Sequence, residues 1–93
     1  MSARLVLYYA PWCGHCRVFK KKDWKEFKIG VQNNKYVELS NLQIDEINCQ
    51  ENPDKGKNIR SFPTVILYVH GQEIIYDGNR QSDDLYIFVK KYI

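Results

Sequence analysis

Apolar residues occur along the chain in two patterns: short continuous runs typical of strands, and helically spaced positions typical of amphipathic helices. Residues 5–9 (LVLYY) are apolar on both faces, which predicts a central strand covered on both sides. Across residues 13–29 large apolar side chains alternate with lysines, which predicts one helix that ends at Gly30. The side chains predicted to face inward from this helix are Cys16, Phe19, Trp24 and Phe27.

Three more strands are predicted further along the chain. Residues 37–39 have weak strand character, and residues 42–48 are the better candidate because their apolar signal is longer. The apolar run at residues 65–69 passes through His70-Gly71, a tight-turn sequence, into a strand at residues 73–76. These last two strands are predicted to form an antiparallel hairpin.

Two shorter helices complete the pattern. Asn52 has the character of an N-cap and Pro53 that of a first helical residue, which predicts a helix over residues 53–57. Ser82 is predicted to cap an amphipathic helix over residues 83–92.

The predicted order is strand, helix, strand, helix, strand, strand, helix. A parallel first pair with a right-handed crossover, followed by a hairpin, gives an α/β fold with a four-stranded mixed sheet flanked by three helices. A chain of 93 residues has the length of one domain, residues 1–93. No apolar stretch approaches the roughly 18 residues that a membrane helix needs, so no membrane partner is expected.

The chain begins with Met1-Ser2-Ala3-Arg4 and passes directly into a strand, with no secretory segment. We therefore expect a cytosolic protein, and a monomer. The net charge of +3 is mild, and the lysines at positions 20–28 alternate with acidic and apolar residues. This pattern favours the solvated face of a helix over a nucleic-acid surface, so no nucleic-acid partner is expected.

Candidate chemistry is concentrated in residues 12–16 (WCGHC). The pattern puts Cys13 at a helix N-terminus, where unpaired N–H groups, the helix dipole and His15 all favour a thiolate. We expect its pKa to fall from about 8.5 into a window of about 3.5 to 7.5, which makes Cys13 the predicted nucleophile. Cys16, one turn further in, is positioned to resolve a mixed disulfide on Cys13. The third cysteine, Cys49, is predicted to be a buried inert thiol, with a regulatory thiol as the alternative.

The element order, together with residues 9–16 (YAPWCGHC), 61–64 (SFPT) and 76–80 (YDGNR), resembles the thioredoxin superfamily over nearly the whole chain. The CGHC tetrapeptide is similar to that of protein disulfide isomerase domains, since ordinary thioredoxin usually has Gly-Pro between its cysteines. The extra N-terminal strand and helix of a full thioredoxin are absent. The resemblance therefore implies a minimal core of the thioredoxin-like fold, nearer to glutaredoxin in size.

The resemblance also implies roles for residues around the cysteines. Pro63 is expected to be the family's cis-proline facing the two sulfurs, with Thr64 beside it in the same motif. The backbone at Phe62 is expected to pair with an extended substrate, and Trp12, Phe62 and Pro63 to form an apolar rim. The alternative is that Trp12 and Phe62 are core aromatics.

Two further residues receive catalytic roles by resemblance. His15 is expected to stabilise the thiolate and make the disulfide more oxidising, where the alternative is an exposed polar residue in a turn. Arg80 matches an arginine that in isomerase domains can approach the second cysteine and lower its pKa, and the alternative is an ordinary surface arginine.

The sequence departs from the family pattern at Leu7, where the family has a buried acid that takes the proton from the resolving thiol. Glu46, on the neighbouring predicted strand, aligns with a family lysine. We hypothesise that Glu46 supplies the missing carboxylate from this other strand. The alternative is that Glu46 points to solvent from a strand at the sheet edge.

These features predict a thiol–disulfide oxidoreductase that uses a Cys13–Cys16 pair to reduce, oxidise or isomerise protein disulfides, without a bound cofactor. Its expected partners are disulfide-containing proteins and a thiol reductant, either thioredoxin reductase or glutathione. A glutathione-linked, glutaredoxin-type reductase is a close alternative. A module that binds a metal or cluster through the two cysteines is a second, although a single CxxC supplies only two ligands.

Overall fold

The computed structural model describes residues 2–78 and 81–93. The sheet has four strands: β1 Ala3–Tyr9, β2 Leu42–Asn48, β3 Thr64–Val69 and β4 Gln72–Ile75. The α-helices are α1 Gly14–Lys21, α2 Asp23–Gln32, α3 Pro53–Gly56 and α4 Ser82–Tyr92, with a 3-10 helix at Val37–Leu39. The strand order is β2-β1-β3-β4, with β1 parallel to β2 and antiparallel to β3, and β3 antiparallel to β4. The predicted α/β fold with a four-stranded mixed sheet is confirmed.

Successive side chains of the central strand β1 face opposite sides of the sheet. Leu5 and Leu7 belong to the larger apolar cluster, which also contains buried residues of α2 and α4 such as Trp24, Phe27 and Leu85. The intervening residues of β1 belong to a smaller cluster on the other face, made of Val6, Tyr8, Ile47, Cys49 and Ile66. The double coverage of β1 explains why residues 5–9 lack hydrophobic alternation.

The single helix predicted for residues 13–29 is interrupted at Lys22, whose backbone (φ −113°, ψ −85°) is not helical. Phe19 and Trp24 are both buried although they are five positions apart. At 100° per residue an uninterrupted helix would separate them by about 140°, so both cannot face the same core. The break at Lys22 allows α1 and α2 each to turn their own aromatic residues inward.

Three further local predictions are wrong. The helix predicted to end at Gly30 continues to Gln32, and Asn33 is its C-cap. Residues 37–39, given weak strand character, form the 3-10 helix, which turns Leu39 into the core. Ser82 is the first residue of α4 rather than its cap, and Gln81 takes the N-cap position without a side-chain hydrogen bond. The Ser82 hydroxyl instead donates to Glu26 Oε2 of α2 at 3.3 Å.

The tight turn between β3 and β4 is as predicted. His70 and Gly71 have φ values of 54° and 74°, and two consecutive positive φ values are what a two-residue hairpin turn of type I′ requires. The longest helix, α4, has 11 residues. Within residues 2–78 and 81–93, no helix combines the length and apolar character needed to cross a membrane.

Candidate active site

The loop between β1 and α1 places Cys13 at the start of a helix, as the sequence predicts. The Cys13 N–H donates to Ala10 O at 3.1 Å, which closes the turn that follows the strand. Cys13 is the N-cap residue of α1, and its Sγ accepts a hydrogen bond from the Cys16 backbone N–H at 3.2 Å. A sulfur in this position takes the place of the usual capping oxygen and satisfies an otherwise unpaired donor.

The surroundings of Cys13 favour its thiolate. Partial burial opposes ionisation, but the hydrogen bonds from the Cys16 side chain, from the backbone at Cys16 and His15, and the positive charge of Arg17 together lower the pKa of the Cys13 thiol. The direction of this shift is the predicted one. The backbone contribution at position 15 is a physical basis for it that does not depend on the imidazole.

Cys13, Cys16 and Cys49 are not joined in disulfides, so the structure represents the dithiol form of the pair. Cys13 is 8% exposed, whereas Cys16 is 1% exposed and lies deeper along α1. An incoming sulfur therefore meets Cys13 first. Cys16 is held close enough to Cys13 to share a hydrogen bond with it, which suits a second displacement at the same sulfur.

The segment before β3 forms the other side of the site. The Phe62–Pro63 peptide bond is cis, as the resemblance implies. The Cys13 thiol donates to Phe62 O at 3.6 Å, so this backbone lies directly against the sulfur. Pro63 is buried, and Thr64 Oγ1 donates to Ser61 O at 2.7 Å, which fixes the loop as it enters the strand.

Trp12 is not a core aromatic, because 67% of it is exposed. Its ring meets the half-buried Phe62 ring edge-on, with centroids 5.9 Å apart. The two rings form a wall beside Cys13, in the position expected of an apolar rim. The structure therefore brings together Trp12, Cys13, Cys16, Phe62 and Pro63.

The remaining predicted residues lie in different surroundings. His15 is exposed, and its backbone rather than its ring contributes to the environment of Cys13. Its role in setting the redox potential stays a prediction. Arg80 lies outside the described residues.

Glu46 lies on β2 directly beside Leu7 of β1, the position where the family has its buried acid. Its side chain is 22% exposed and faces the helices, not solvent: it accepts a hydrogen bond from Trp24 Nε1 at 3.0 Å and pairs with Lys28 and, at 3.3 Å, with Lys20. Burial opposes ionisation, but these contacts lower the pKa of the Glu46 carboxyl. The carboxylate is therefore in its proton-accepting form at neutral pH.

A cavity of about 520 Å³, which the sequence did not predict, lies next to Cys16 between α1 and the end of β1. Lys20 lies on its wall, with its ammonium 4.0 Å from the centre of the Tyr9 ring. A usable signal was present in the sequence, because Lys20 follows Cys16 by four residues and shares its helix face. The alternation of the lysines with acidic and apolar residues predicts only a solvated helix surface.

Cys49 is buried on the opposite face of the sheet, and its burial raises the pKa of the thiol. Gly56 packs so closely that an added Cβ would lie 2.7 Å from the Cys49 Sγ. The predicted burial is confirmed. Among residues 2–78 and 81–93, no three His, Cys, Asp or Glu side chains are grouped to hold a metal ion, so the metal-binding alternative gains no support.

Comparison with known proteins agrees with this geometry. Protein disulfide-isomerase of Saccharomyces cerevisiae is 36% identical over 90 residues, which cover 94% of this chain and 16% of that protein. Protein disulfide-isomerase 1 of Caenorhabditis elegans is 34% identical over 89 residues, which cover 94% of this chain and 17% of that protein. The first two thioredoxin domains of Naumovozyma dairenensis Eps1p match with a TM-score of 0.78 at 26% identity, over 97% of this chain and 34% of that one.

A mixed four-stranded sheet with a cysteine pair at the first helix, facing a cis-proline, defines the class of thioredoxin-fold proteins. Residues 1–91 match the thioredoxin family, and the chain belongs to it. The chain spans about a sixth of the length of the two isomerases, 16% and 17%. These matches do not favour the glutaredoxin-type alternative.

Proposed function

We propose that this protein is a thiol–disulfide oxidoreductase that acts on disulfides of other proteins. The observation that carries the proposal is the Cys13 sulfur at the start of α1, hydrogen-bonded by Cys16, with its pKa lowered. A thiolate is the nucleophile in disulfide exchange, and the Cys13 sulfur lies beside the apolar wall formed by Trp12 and Phe62. The names of the similar isomerases support the same chemistry.

The proposed reaction consists of two displacements. The Cys13 thiolate attacks one sulfur of a substrate disulfide, forms a mixed disulfide and releases the other substrate sulfur, which takes up a proton. Cys16 then loses its proton and attacks the Cys13 sulfur, so that a Cys13–Cys16 disulfide forms and the second substrate thiol leaves. The substrate gains two electrons and two protons, and the protein pair loses them. A thiol reductant, glutathione or thioredoxin reductase, restores the dithiol.

Glu46 is the proposed acceptor of the Cys16 proton. Its carboxylate lies beside Leu7, on the face of the sheet that carries α1, and its partner Lys20 follows Cys16 by one helical turn. A carboxylate in this region can serve as a base from either strand.

The net direction of electron flow is a separate question. A cytosolic location, which stays a prediction, favours reduction of substrates, whereas the Gly14-His15 dipeptide favours oxidation or isomerisation. The reduction potential of the pair, measured against glutathione buffers, assigns the direction because each 30 mV corresponds to about 1.4 kcal/mol.

The activity is tested by insulin reduction with wild-type protein and single Cys→Ser variants. Cys13→Ser is expected to abolish turnover, because no other thiol here is both accessible and activated. Cys16→Ser is expected to accumulate a mixed disulfide with substrate, visible by mass spectrometry. Cys49→Ser is the matched control and is expected to retain activity. Full activity of Cys13→Ser would contradict the proposal.

A further inference from the structure

The cavity beside Cys16 is lined by positively charged side chains. Its basic side chains come from two helices: Arg17, Lys20 and Lys21 from α1 and Lys25 from α2. Among the described residues, no acidic side chain lines the cavity. Its inner wall is formed by the apolar turn Ala10-Pro11, by Tyr9 and by Cys16.

The positive charge is only partly neutralised. Lys20 is held by Glu46 at 3.3 Å and by the Tyr9 ring. Within residues 2–78 and 81–93, no carboxylate forms an ion pair with Arg17, Lys21 or Lys25. Arg17 and Lys21 lie four positions apart on α1, and like charges at this helical spacing repel one another. This repulsion destabilises α1, and an anionic partner would remove it.

Two of these basic residues also line a second depression on the other side of α1's first turns. Arg17 and Lys21 line this shallower depression together with Gly14, His15 and Val18. A ridge of positive charge thus separates two depressions, one of which is lined by Cys16 and the other by Gly14. Both depressions therefore lie next to the cysteine pair to which a substrate would be joined.

We propose that this cavity, between the basic side chains of α1 and α2 and the Ala10-Pro11 turn, binds acidic segments flanking the disulfide of a protein substrate. This inference rests on the proposed function, since it identifies the class of substrate for the same pair of cysteines. Aspartate and glutamate side chains would pair with Lys21 and Lys25, while aliphatic parts of the segment pack on Pro11 and Tyr9. Charge complementarity of this kind acts mainly on the rate of encounter and on the choice of partner.

A peptide is favoured over a nucleic acid because the cavity lies next to the cysteine pair and has an apolar wall. Recognition of a phosphate backbone needs only the basic ridge. A competition experiment distinguishes the peptide from the nucleic acid as the occupant of the cavity. A single-stranded oligonucleotide that displaced an acidic peptide, and bound more tightly than it, would overturn the peptide assignment.

The test compares three peptides that contain the same intramolecular disulfide, flanked by glutamates, glutamines or lysines. The second-order rate of their reduction by the dithiol protein is measured by stopped flow. Wild-type protein is expected to reduce the acidic peptide about fivefold or more faster than the neutral one at low salt, with the preference lost at about 1 M salt, where the Debye length is about 3 Å.

The informative variant is K21E/K25E, which leaves the cysteines and their hydrogen bonds unchanged. It is expected to lose the preference for the acidic peptide and to reduce the neutral peptide at the wild-type rate. K21Q/K25Q is the milder version if the charge reversal disturbs folding. K57E/K91E changes the net charge equally at positions outside the cavity and is expected to keep the preference.

The two proposals fail in different ways. If wild-type protein reduces all three peptides at equal rates, or if K57E/K91E loses the preference as fully as K21E/K25E, the acidic-segment site is wrong and the oxidoreductase stands. If no peptide is reduced, the proposed function is wrong. Fluorescence anisotropy of a labelled acidic peptide without cysteines then decides the site by itself: binding that K21E/K25E abolishes supports it, and equal binding by both proteins refutes it.

Discussion

Arg17 contributes a positive charge to the environment of Cys13, which favours the thiolate. The other favourable contributions are hydrogen bonds from positions 15 and 16, and a side-chain substitution at 17 leaves them unchanged. A substitution at position 17 therefore tests how much the positive charge lowers the pKa of Cys13, independently of the hydrogen bonds at the start of the helix.

We predict that Arg17→Gln raises the pKa of the Cys13 thiol towards its ordinary value. Removing the positive charge destabilises the thiolate but not the neutral thiol, so alkylation at mildly acidic pH becomes slower. The measurement is the rate of Cys13 alkylation across a pH series, in protein that carries Cys49→Ser. Arg17→Lys keeps the charge and is expected to follow the wild-type curve. Coincident curves for Arg17→Gln and wild type would assign the shift to hydrogen bonds alone.

Two carboxylates on β2 allow the role of Glu46 to be isolated. We predict that Glu46→Gln slows attack by Cys16 on the mixed disulfide by about a hundredfold, at the low end of general-base effects, and leaves the first attack by Cys13 unchanged. Rapid-quench alkylation resolves the two steps. Asp45→Asn is the control, since Asp45 pairs with Arg4 Nε at 2.6 Å instead of the lysines of the helices. An unchanged resolution rate in Glu46→Gln would show that the carboxylate is structural.

Among the secondary-structure elements, the sequence was most informative where local rules decide the outcome. The hairpin turn at His70-Gly71 follows from backbone freedom at two positions, and it was predicted within one residue. The break at Lys22 and the 3-10 helix at Val37–Leu39 were not predicted, because both depend on which aromatic side chains reach a shared core. The five-residue spacing of Phe19 and Trp24 does indicate the break at Lys22, because two residues this far apart cannot face the same side of one helix. The helical spacing of the other apolar residues across 13–29 nevertheless favoured a single helix.

The 3-10 helix begins after Tyr36, which packs between α2 and α4. Its ring stacks on Phe27 and on Tyr86, with centroids 5.8 Å and 4.5 Å away. The Tyr36 hydroxyl is buried without a hydrogen-bond partner among the described residues. The Tyr86 hydroxyl, in contrast, donates to Glu38 Oε2 at 2.8 Å. Of these two stacked tyrosines, Tyr86 therefore has a hydrogen-bonded hydroxyl, and Tyr36 has a buried hydroxyl with no partner among the described residues.

We predict that Tyr36→Phe raises the free energy of unfolding by about 1 kcal/mol, because it removes a buried polar group that gains no hydrogen bond on folding. Tyr86→Phe is expected to lower the free energy of unfolding by about 0.5 kcal/mol, since it removes an exposed hydrogen bond that is made. Urea unfolding monitored by tryptophan fluorescence measures both. A loss of stability in Tyr36→Phe would mean that its hydroxyl is hydrated in solution.

For the molecule as a whole, the sequence predicted the fold class and the local part of the site, but not the contacts that the sheet assembles. Cys13 and Cys16 are neighbours in sequence, so their placement follows from one turn and one helix. Glu46 reaches its position only through the parallel register of β2 with β1, and its contacts with Trp24 and Lys28 cross from sheet to helix. Neither the register nor these partners can be obtained from local sequence.

These assembled contacts predict how the whole fold responds to acid. The Glu46 carboxyl has a lowered pKa because, against the effect of burial, it pairs with Lys28 and Trp24. The Asp45 carboxyl has a lowered pKa because it pairs with Arg4. In the unfolded chain both groups return to ordinary values near 4, so the unfolded state binds protons first as the pH falls. The resulting stability is therefore complete above about pH 5 and is lost progressively below it.

We expect the free energy of unfolding, measured by urea titration between about pH 7 and pH 3, to decrease as the pH falls. D45N/E46Q is expected to be less stable at neutral pH and to show a shallower decrease, because neither amide titrates. E51Q/D54N removes two exposed carboxylates and is expected to keep the wild-type slope. If D45N/E46Q kept that slope as well, the ion pairs at the β2 edge would not contribute to the acid sensitivity of the fold, and other carboxylates would have to account for it.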